Sequence, residues 1–504
     1  MTDTARRKVS WRTSIPYGVG AIASAAKTVP ITTFLMLYYN EVVRLPAIAV
    51  SSVLMVSLML DAVFDPMMGQ ISDNFRSRWG RRLPFMYASA LPVSILFIML
   101  WIPPTGWPQW ALIAYLAFCV IGVRFLDTVF YLPHIALIPE LTSEYNERTK
   151  LFTIRYVFEA AGGAGVGLLA YNYFLKQRPD GTGGLLSAQG YPAFAWFTGT
   201  LILLTILACC AGLHRGLLQS QPPPVRKVSV GTRLREILST LNSRSFVVLI
   251  ATGFFIAIGS GIGSSLSLYL TLYLYQFSQA QMSLLIAPVM LGTFATALAP
   301  LISGRFGKRN AAILLCWVYV ITATVPLLAR VLHWAPAKSP ALFGLVMVQT
   351  AVAPATMTMV LILLGSMISD LVEDAEVRTG RRSEGLLLAA NSLVRKGTQG
   401  LGTLGAGVLL TVVAFPKGAE RTAVPESVLT HLVLLYLAVT IFLFVATTAT
   451  LLLYRHDRAA HETNLRKLAD RATEQRAKDE ATVEAAKNTS DPEGEVAVIA
   501  QRAD

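Results

Sequence analysis

The sequence predicts an all-α polytopic membrane protein of twelve transmembrane helices in two six-helix halves. Three observations carry that expectation. The 504 residues are 54% hydrophobic and only 14% charged, with a mean hydropathy of +0.54. A soluble chain of this length would carry more charge. Continuous apolar runs of about 20 residues recur, each long enough for a hydrocarbon core of about 30 Å. Their continuity excludes a barrel, whose strands alternate apolar and polar residues. Finally, a long polar stretch follows the sixth run, and the basic turn that ends the second run is echoed at the end of the eighth.

The spans follow in order. A basic N-terminus, 1–15, precedes the first span at 16–39. Ala23-Ser24-Ala25 is compatible with a cleavage site, but the apolar run is broken by Pro16 and glycines and continues to Tyr39, so it reads as a spanning helix. Five more runs, 45–71, 84–101, 109–132, 151–175 and 193–213, complete an N-terminal bundle over 16–213. Residues 214–245 read as a linker, Pro-rich at QPPPVRK and basic and amphipathic at TRLREILSTL. A C-terminal bundle over 246–454 holds the runs 246–275, 281–303, 310–331, 340–368, 384–413 and 428–454. The tail, 455–504, is rich in Ala, Glu, Lys and Arg and then turns polar, as in a solvated helix followed by disorder.

Charge sets the orientation. The loops after the second, sixth and eighth spans carry Arg76 to Arg82, Arg215 to Arg244, and Arg305, Lys308 and Arg309. Loops 102–108 and 276–280 carry none. The positive-inside rule then puts the basic loops, the linker and both termini in the cytoplasm, in a multi-pass protein of the cytoplasmic (inner) membrane. The same bias accounts for the net charge of +13 without a nucleic-acid partner. Cys119, Cys209, Cys210 and Cys316 all lie in apolar runs and read as small core residues.

The second span holds the densest signal, LDAVFDPMMGQISDNFRSRWGRRLP over 60–84. Asp61 and Asp65 are four residues apart, so they project from one helix face. Carboxylates in hydrocarbon are costly and usually face a cavity or a partner. Counted from the cytoplasmic end of each span at about 1.5 Å per residue, Asp61 lies about 16 Å deep, Asp65 about 10 Å and Asp127 about 17 Å. Lys27 and Glu159 fall at about 14–17 Å and Lys396 at about 18 Å; Arg155 lies nearer the cytoplasm and Arg124 further out. Four acids and four bases therefore share a slab near mid-membrane, where random charges would snorkel to helix ends. Mutual pairing for packing is one reading. A movable cation that changes which pairs form is the other. The ion is Na⁺, which prefers oxygen ligands, or H⁺, which needs only an acid raised by burial or by a like charge. His134 reads as a packed histidine, and Gly162, Gly163, Gly165 and Gly167 read as helix-packing positions.

The cytoplasmic turns carry a second expectation. Gly80-Arg81-Arg82, with Asp73 just before it, is echoed by Gly307-Lys308-Arg309. Part of this is topology; the repeat also suggests a gate latch between helices. Two six-span halves with the same basic turn suggest the major facilitator architecture, with a substrate site between the halves. No His-Glu-x-x-His, Gly-x-Ser-x-Gly or Gly-x4-Gly-Lys-Ser/Thr motif occurs, so the chain reads as neither an enzyme nor an ATP-driven pump, without catalytic residues, a resident metal or a cofactor.

Asp61-x3-Asp65-Pro66-x2-Gly69 followed by Trp79-Gly80-Arg81-Arg82-x-Pro84 resembles the glycoside–pentoside–hexuronide:cation symporters, the melibiose permease family. Two further stretches match, PHIALIPELTSEYNERT (133–149) and DLVEDAEVRTGRRSEGLLLAANSLVRKGTQGLG (370–402), and the resemblance covers about 16–413. It implies that Asp61, Asp65 and Thr128 hold Na⁺, Li⁺ or H⁺. It implies that Lys396 links the cation and substrate regions, that Arg155 lines the sugar site, and that Asn391 and Ser392 form a polar pair beside it. Two family aspartates that clamp sugar are absent, their positions being Ala25 and Tyr131. Asp127, Lys27 and Glu159 are the polar groups available to replace them. Animal lysophospholipid carriers, which also resemble this family, likewise lack these aspartates. The expected function is cation-coupled symport of a glycoside, hexuronide or related small solute by a monomer; a lysophospholipid or other amphipathic solute is the alternative. A non-transporting sensor or scaffold and an intramembrane lipid enzyme are the readings of other classes.

Overall fold

The structure, a computed structural model, describes residues 9–142, 144–178, 183–217, 244–379, 384–418 and 424–454. Most of the expected linker and the whole tail from 455 lie outside the described residues. Helices account for almost all the rest: α1 (Trp11–Thr33), α2 (Ala47–Asn74), α3 (Leu83–Leu100), α4 (Gln109–Ala136), α5 (Tyr145–Leu169) and α6 (Tyr191–Leu217). After the linker come α7 (Arg244–Tyr269), α8 (Gln279–Phe306, in short consecutive pieces), α9 (Lys308–Val331), α10 (Pro340–Thr379), α11 (Glu384–Val412) and α12 (Glu426–Leu452).

Local chemistry sets several boundaries. Pro46, Pro108 and Pro425 sit at the N-caps of α2, α4 and α12, and Pro84 in the first turn of α3, where a missing N–H costs nothing. Ser278 and Gln281 form a capping box that starts α8. Gly80 (φ +84°) and Gly307 (φ +75°) occupy equivalent turns, where the left-handed conformation needs no Cβ. Pro30 lies within α1, which breaks at Phe34, bends by 46° and ends in a π-turn, Tyr38–Val42.

Among the described residues nine helices are long and apolar enough to cross a membrane, ten if bent α1 counts with its continuation. The expected count of twelve is thus not reached by that measure. The two that fall short are α5, with Arg155, Glu159 and four glycines, and α11, with Arg395, Lys396 and its own glycines.

Helix pairing repeats between the halves. α1 packs on α5 and α6, α3 on α4 and α6, and α2 on α4; α7 packs on α11 and α12, α9 on α10 and α12, and α8 on α10. Each contact recurs six helices later. Across the halves α2 meets α11, α5 meets α8 and α1 meets α7.

Hydrogen bonds between described residues of the two halves cluster at the end away from the basic turns. The Tyr269 hydroxyl donates to Asn40 Oδ1 at 2.9 Å. Tyr273 is hydrogen-bonded to the buried Glu41. Gln279 donates to the Leu175 carbonyl and accepts from the Gln177 N–H. Below the aromatic cap of Tyr38, Trp101 and Tyr191, α11 lies directly on α2. A Cβ on Gly407 would come within 1.9 Å of Ser51 Oγ and 2.8 Å of the Ala47 carbonyl oxygen. Gly407→Leu should therefore push α2 off α11 and cost about 1–3 kcal/mol, read as a lower melting temperature in detergent. Unchanged melting would mean that the helices do not need this approach.

Candidate functional site

Helix α4 organises the site. Arg124, Asp127, Thr128 and Tyr131 recur at helical spacing and form one stripe, whose partners lie on three neighbouring helices, α1, α2 and α5. α2 and α4 belong to alternate spans and so run parallel. Their pairs are accordingly in register. Arg124 Nη1 donates to Asp61 Oδ2 at 2.7 Å, and the Thr128 hydroxyl donates to Asp65 Oδ1 at 3.1 Å, both across 63 residues of sequence. Asp61 is buried at 8% exposure and Asp65 is half-buried.

The Lys27 ammonium on α1, 1% exposed, pairs with the Asp127 carboxylate and lies over the Phe130 ring at 5.1 Å. Beside this pair a narrow cleft between α1 and α4 is lined by Thr28, Ile31, Thr32, Val123 and Arg124. Arg155 on α5, 3% exposed, pairs with Glu159 one turn on at 3.1 Å and stacks over the Tyr131 ring at 5.1 Å. Two acid–base pairs and one hydroxyl–carboxylate pair thus join α1, α2 and α4 of a single half, and the Arg155–Tyr131 stack ties in α5. Such pairs repay the cost of removing their charges from water only while both partners remain.

The structure brings together Asp61, Asp65, Thr128, Asp127, Lys27, Tyr131, Arg155 and Glu159. Asn391, Ser392 and Lys396 belong to α11, which packs on the acid-bearing α2, but their side chains lie outside the described residues. Ala25 is buried against Gly163. Gly162 lies where a Cβ would approach Ile22 Cα to 3.0 Å, the close contact its spacing suggested. His134 is fully buried between Tyr17 and Phe130, its Nε2 hydrogen-bonded to the Tyr17 carbonyl at 2.9 Å, a packed histidine as its position suggested.

At the basic end, Arg81 pairs with Glu140, and Arg82 reaches Asp73 at 3.1 Å and Glu140 at 3.4 Å. This ties the α2–α3 turn to the short helix Ile138–Leu141 that follows α4. Glu140, an acid in a short connecting helix between apolar spans, carries no signal of its own in the sequence. In the second half the two basic residues of the Gly307-Lys308-Arg309 turn part company. Lys308, the first residue after Gly307, holds Asp370 at 2.7 Å, whereas Arg309 points away and donates to the Tyr454 carbonyl at 3.3 Å. Adjacent residues on a helix face directions about 100° apart, so only one of the two basic groups can reach α10.

Comparison with known proteins gives concordant matches. Residues 16–458 match a family described as MFS/sugar transport protein. An uncharacterised symporter of Synechocystis sp. is 30% identical over 263 residues, half of this chain and 46% of that protein. An isoprimeverose transporter of Lactiplantibacillus pentosus is 23% identical across 90% of both chains. Among solved structures, a bacterial homologue of the human lysosomal transporter Spinster, in an inward-facing and unoccupied conformation, superposes with a TM-score of 0.62 at 14% identity, over 93% of this chain and 99% of that one.

Proposed function

Because the chain belongs to the MFS/sugar transport protein family, in its glycoside–pentoside–hexuronide branch, and is a carrier rather than an enzyme, we propose that it is a cation-coupled symporter of a glycoside-class solute, working by alternating access. The observation that carries this reading is the in-register face between α2 and α4. Two carboxylates one turn apart on α2, the helix that also packs against the other half, meet the Thr128 hydroxyl of α4 there. A small cation held by oxygens of Asp65, Thr128 and Asp61 would cancel buried negative charge beside that contact. Its arrival favours closure of the halves over a solute. By linkage, bound solute then raises cation affinity by the same factor.

With the basic loops in the cytoplasm, the sealed end is external and this conformation is inward-open. Arg81, Arg82, Asp73 and Glu140 then form the latch at the open side. The solute region is assigned to Arg155, Tyr131, Glu159, Lys27 and Asp127, with Asn391, Ser392 and Lys396 approaching from α11.

The experiment is a counterflow and uptake screen in proteoliposomes with glycosides, hexuronides and lysolipids, each with and without Na⁺ at two pH values. Accumulation of a glycoside or hexuronide that depends on an ion gradient is expected. Selective movement of lysolipid would replace the substrate class and leave the coupling intact. No counterflow with any solute would favour a sensor and contradict transport.

A further inference from the structure

We infer that Arg124 is a tethered internal cation that occupies the Asp61 side of the ion seat and sets how strongly the seat binds its coupling ion. The inference rests on the coupling role proposed above for Asp61 and Asp65, and deepens it. The Arg124 guanidinium comes from α4 and meets Asp61 at 2.7 Å, with both side chains largely buried, at 17% and 11% exposure. Asp127, the acid nearest to it in sequence, is already paired with Lys27, so Arg124 turns to α2. Its Nε is buried without a hydrogen-bond partner among the described residues.

A guanidinium keeps its charge at every physiological pH, so this occupant cannot leave by deprotonation. It can only be displaced. The groups around it are Asp61 and Asp65 on α2, Asp127 and Thr128 on α4, and Lys27 on α1; α11 brings Lys396, whose side chain lies outside the described residues. Arg124 in place offsets one of the two seat carboxylate charges. An alkali cation that uses Asp61 must push the guanidinium aside or share an oxygen with it at short range. Either route weakens binding, because a unit charge within a few ångströms in a partly buried site is screened little.

The test is a titration of the purified full chain with NaCl and LiCl against a choline background at constant ionic strength, read by thermal shift. In Arg124→Gln the half-maximal Na⁺ concentration is expected to fall at least about tenfold below wild type. Without alkali cation the variant should melt below wild type, since Asp61 has lost its partner, and Na⁺ should close that gap. A wild type that shows no Na⁺ response beside a responsive Arg124→Gln supports the inference as well. Equal or weaker Na⁺ binding in Arg124→Gln overturns it. Arg124→Lys keeps the charge on a shorter, single-point head and serves where the glutamine variant does not purify. A smaller gain in the same direction is expected, and a midpoint equal to wild type also overturns the inference. The coupling role itself is judged apart, from uptake by Asp61 and Asp65 variants, so the two can fail separately.

Discussion

Asp61→Ala should abolish cation-stimulated uptake, lowering it by about two orders of magnitude or more in proteoliposomes with an imposed ion gradient. Two effects combine. The substitution removes one of the two carboxylates on the α2 face, which in the proposed ion seat would deprive a cation of ligands and of one carboxylate charge. It also strands the largely buried Arg124 guanidinium, whose Nε already lacks a hydrogen-bond partner among the described residues. Breaking one side of a buried ion pair costs about 3–5 kcal/mol. Asp61→Asn separates these effects, because it keeps the shape and one acceptor oxygen while removing the charge. Uptake should stay uncoupled in Asn as in Ala, while expression and melting recover in part. Full cation-dependent accumulation by Asp61→Ala would remove Asp61 from the ion seat.

Arg155→Ala should weaken solute binding by about two orders of magnitude and leave the cation response of the free protein in place. Arg155 is the most enclosed cation of the α5 face, held between Glu159 and the Tyr131 ring. A planar guanidinium offers paired donors to hydroxyls or a carboxylate and stacks on aromatic faces; an ammonium does neither in the same way. Truncating one partner of a buried hydrogen-bonded charge pair costs 2–5 kcal/mol or more at binding sites. Arg155→Lys should therefore recover only part of the loss. Solute protection and Na⁺ protection in thermal shift form the readout. Loss of both together would mean that Arg155 supports the half as a whole rather than the solute region.

These two expectations draw on different amounts of sequence information. The facing of Asp61 and Asp65 is legible from their spacing alone, because four residues make one helical turn. Pairing among the slab charges is also legible, since buried charges must be matched, and Lys27–Asp127 and Arg155–Glu159 are among the matches that argument allows. That Arg124, one of the slab bases, meets Asp61 is not legible this way. A depth ruler laid along one helix at a time places it away from Asp61, whereas the parallel register of α2 and α4 pairs the two. The signal was nonetheless present in the numbers: Asp61 and Asp65 repeat the four-residue spacing of Arg124 and Thr128, which suits two parallel helices face to face. The basic turns show the opposite limit. The repeated turn is visible in Gly80 and Gly307, but which basic side chain reaches an acid depends on the direction taken after the glycine, and Lys308 rather than Arg309 finds Asp370. Hydropathy identifies the apolar helices and is weakest at α5 and α11, whose charges and glycines lower the very measure that identifies spans.

The most direct measurement is calorimetric titration of the wild-type protein with solute at zero and saturating cation, and with cation at zero and saturating solute. The expected result is that each ligand strengthens the other by the same factor, roughly 5–150-fold, and that Asp65→Asn brings the factor to one. Solute and cation affinities that are independent of each other in the wild type, or a coupling factor that survives Asp65→Asn, would contradict the account.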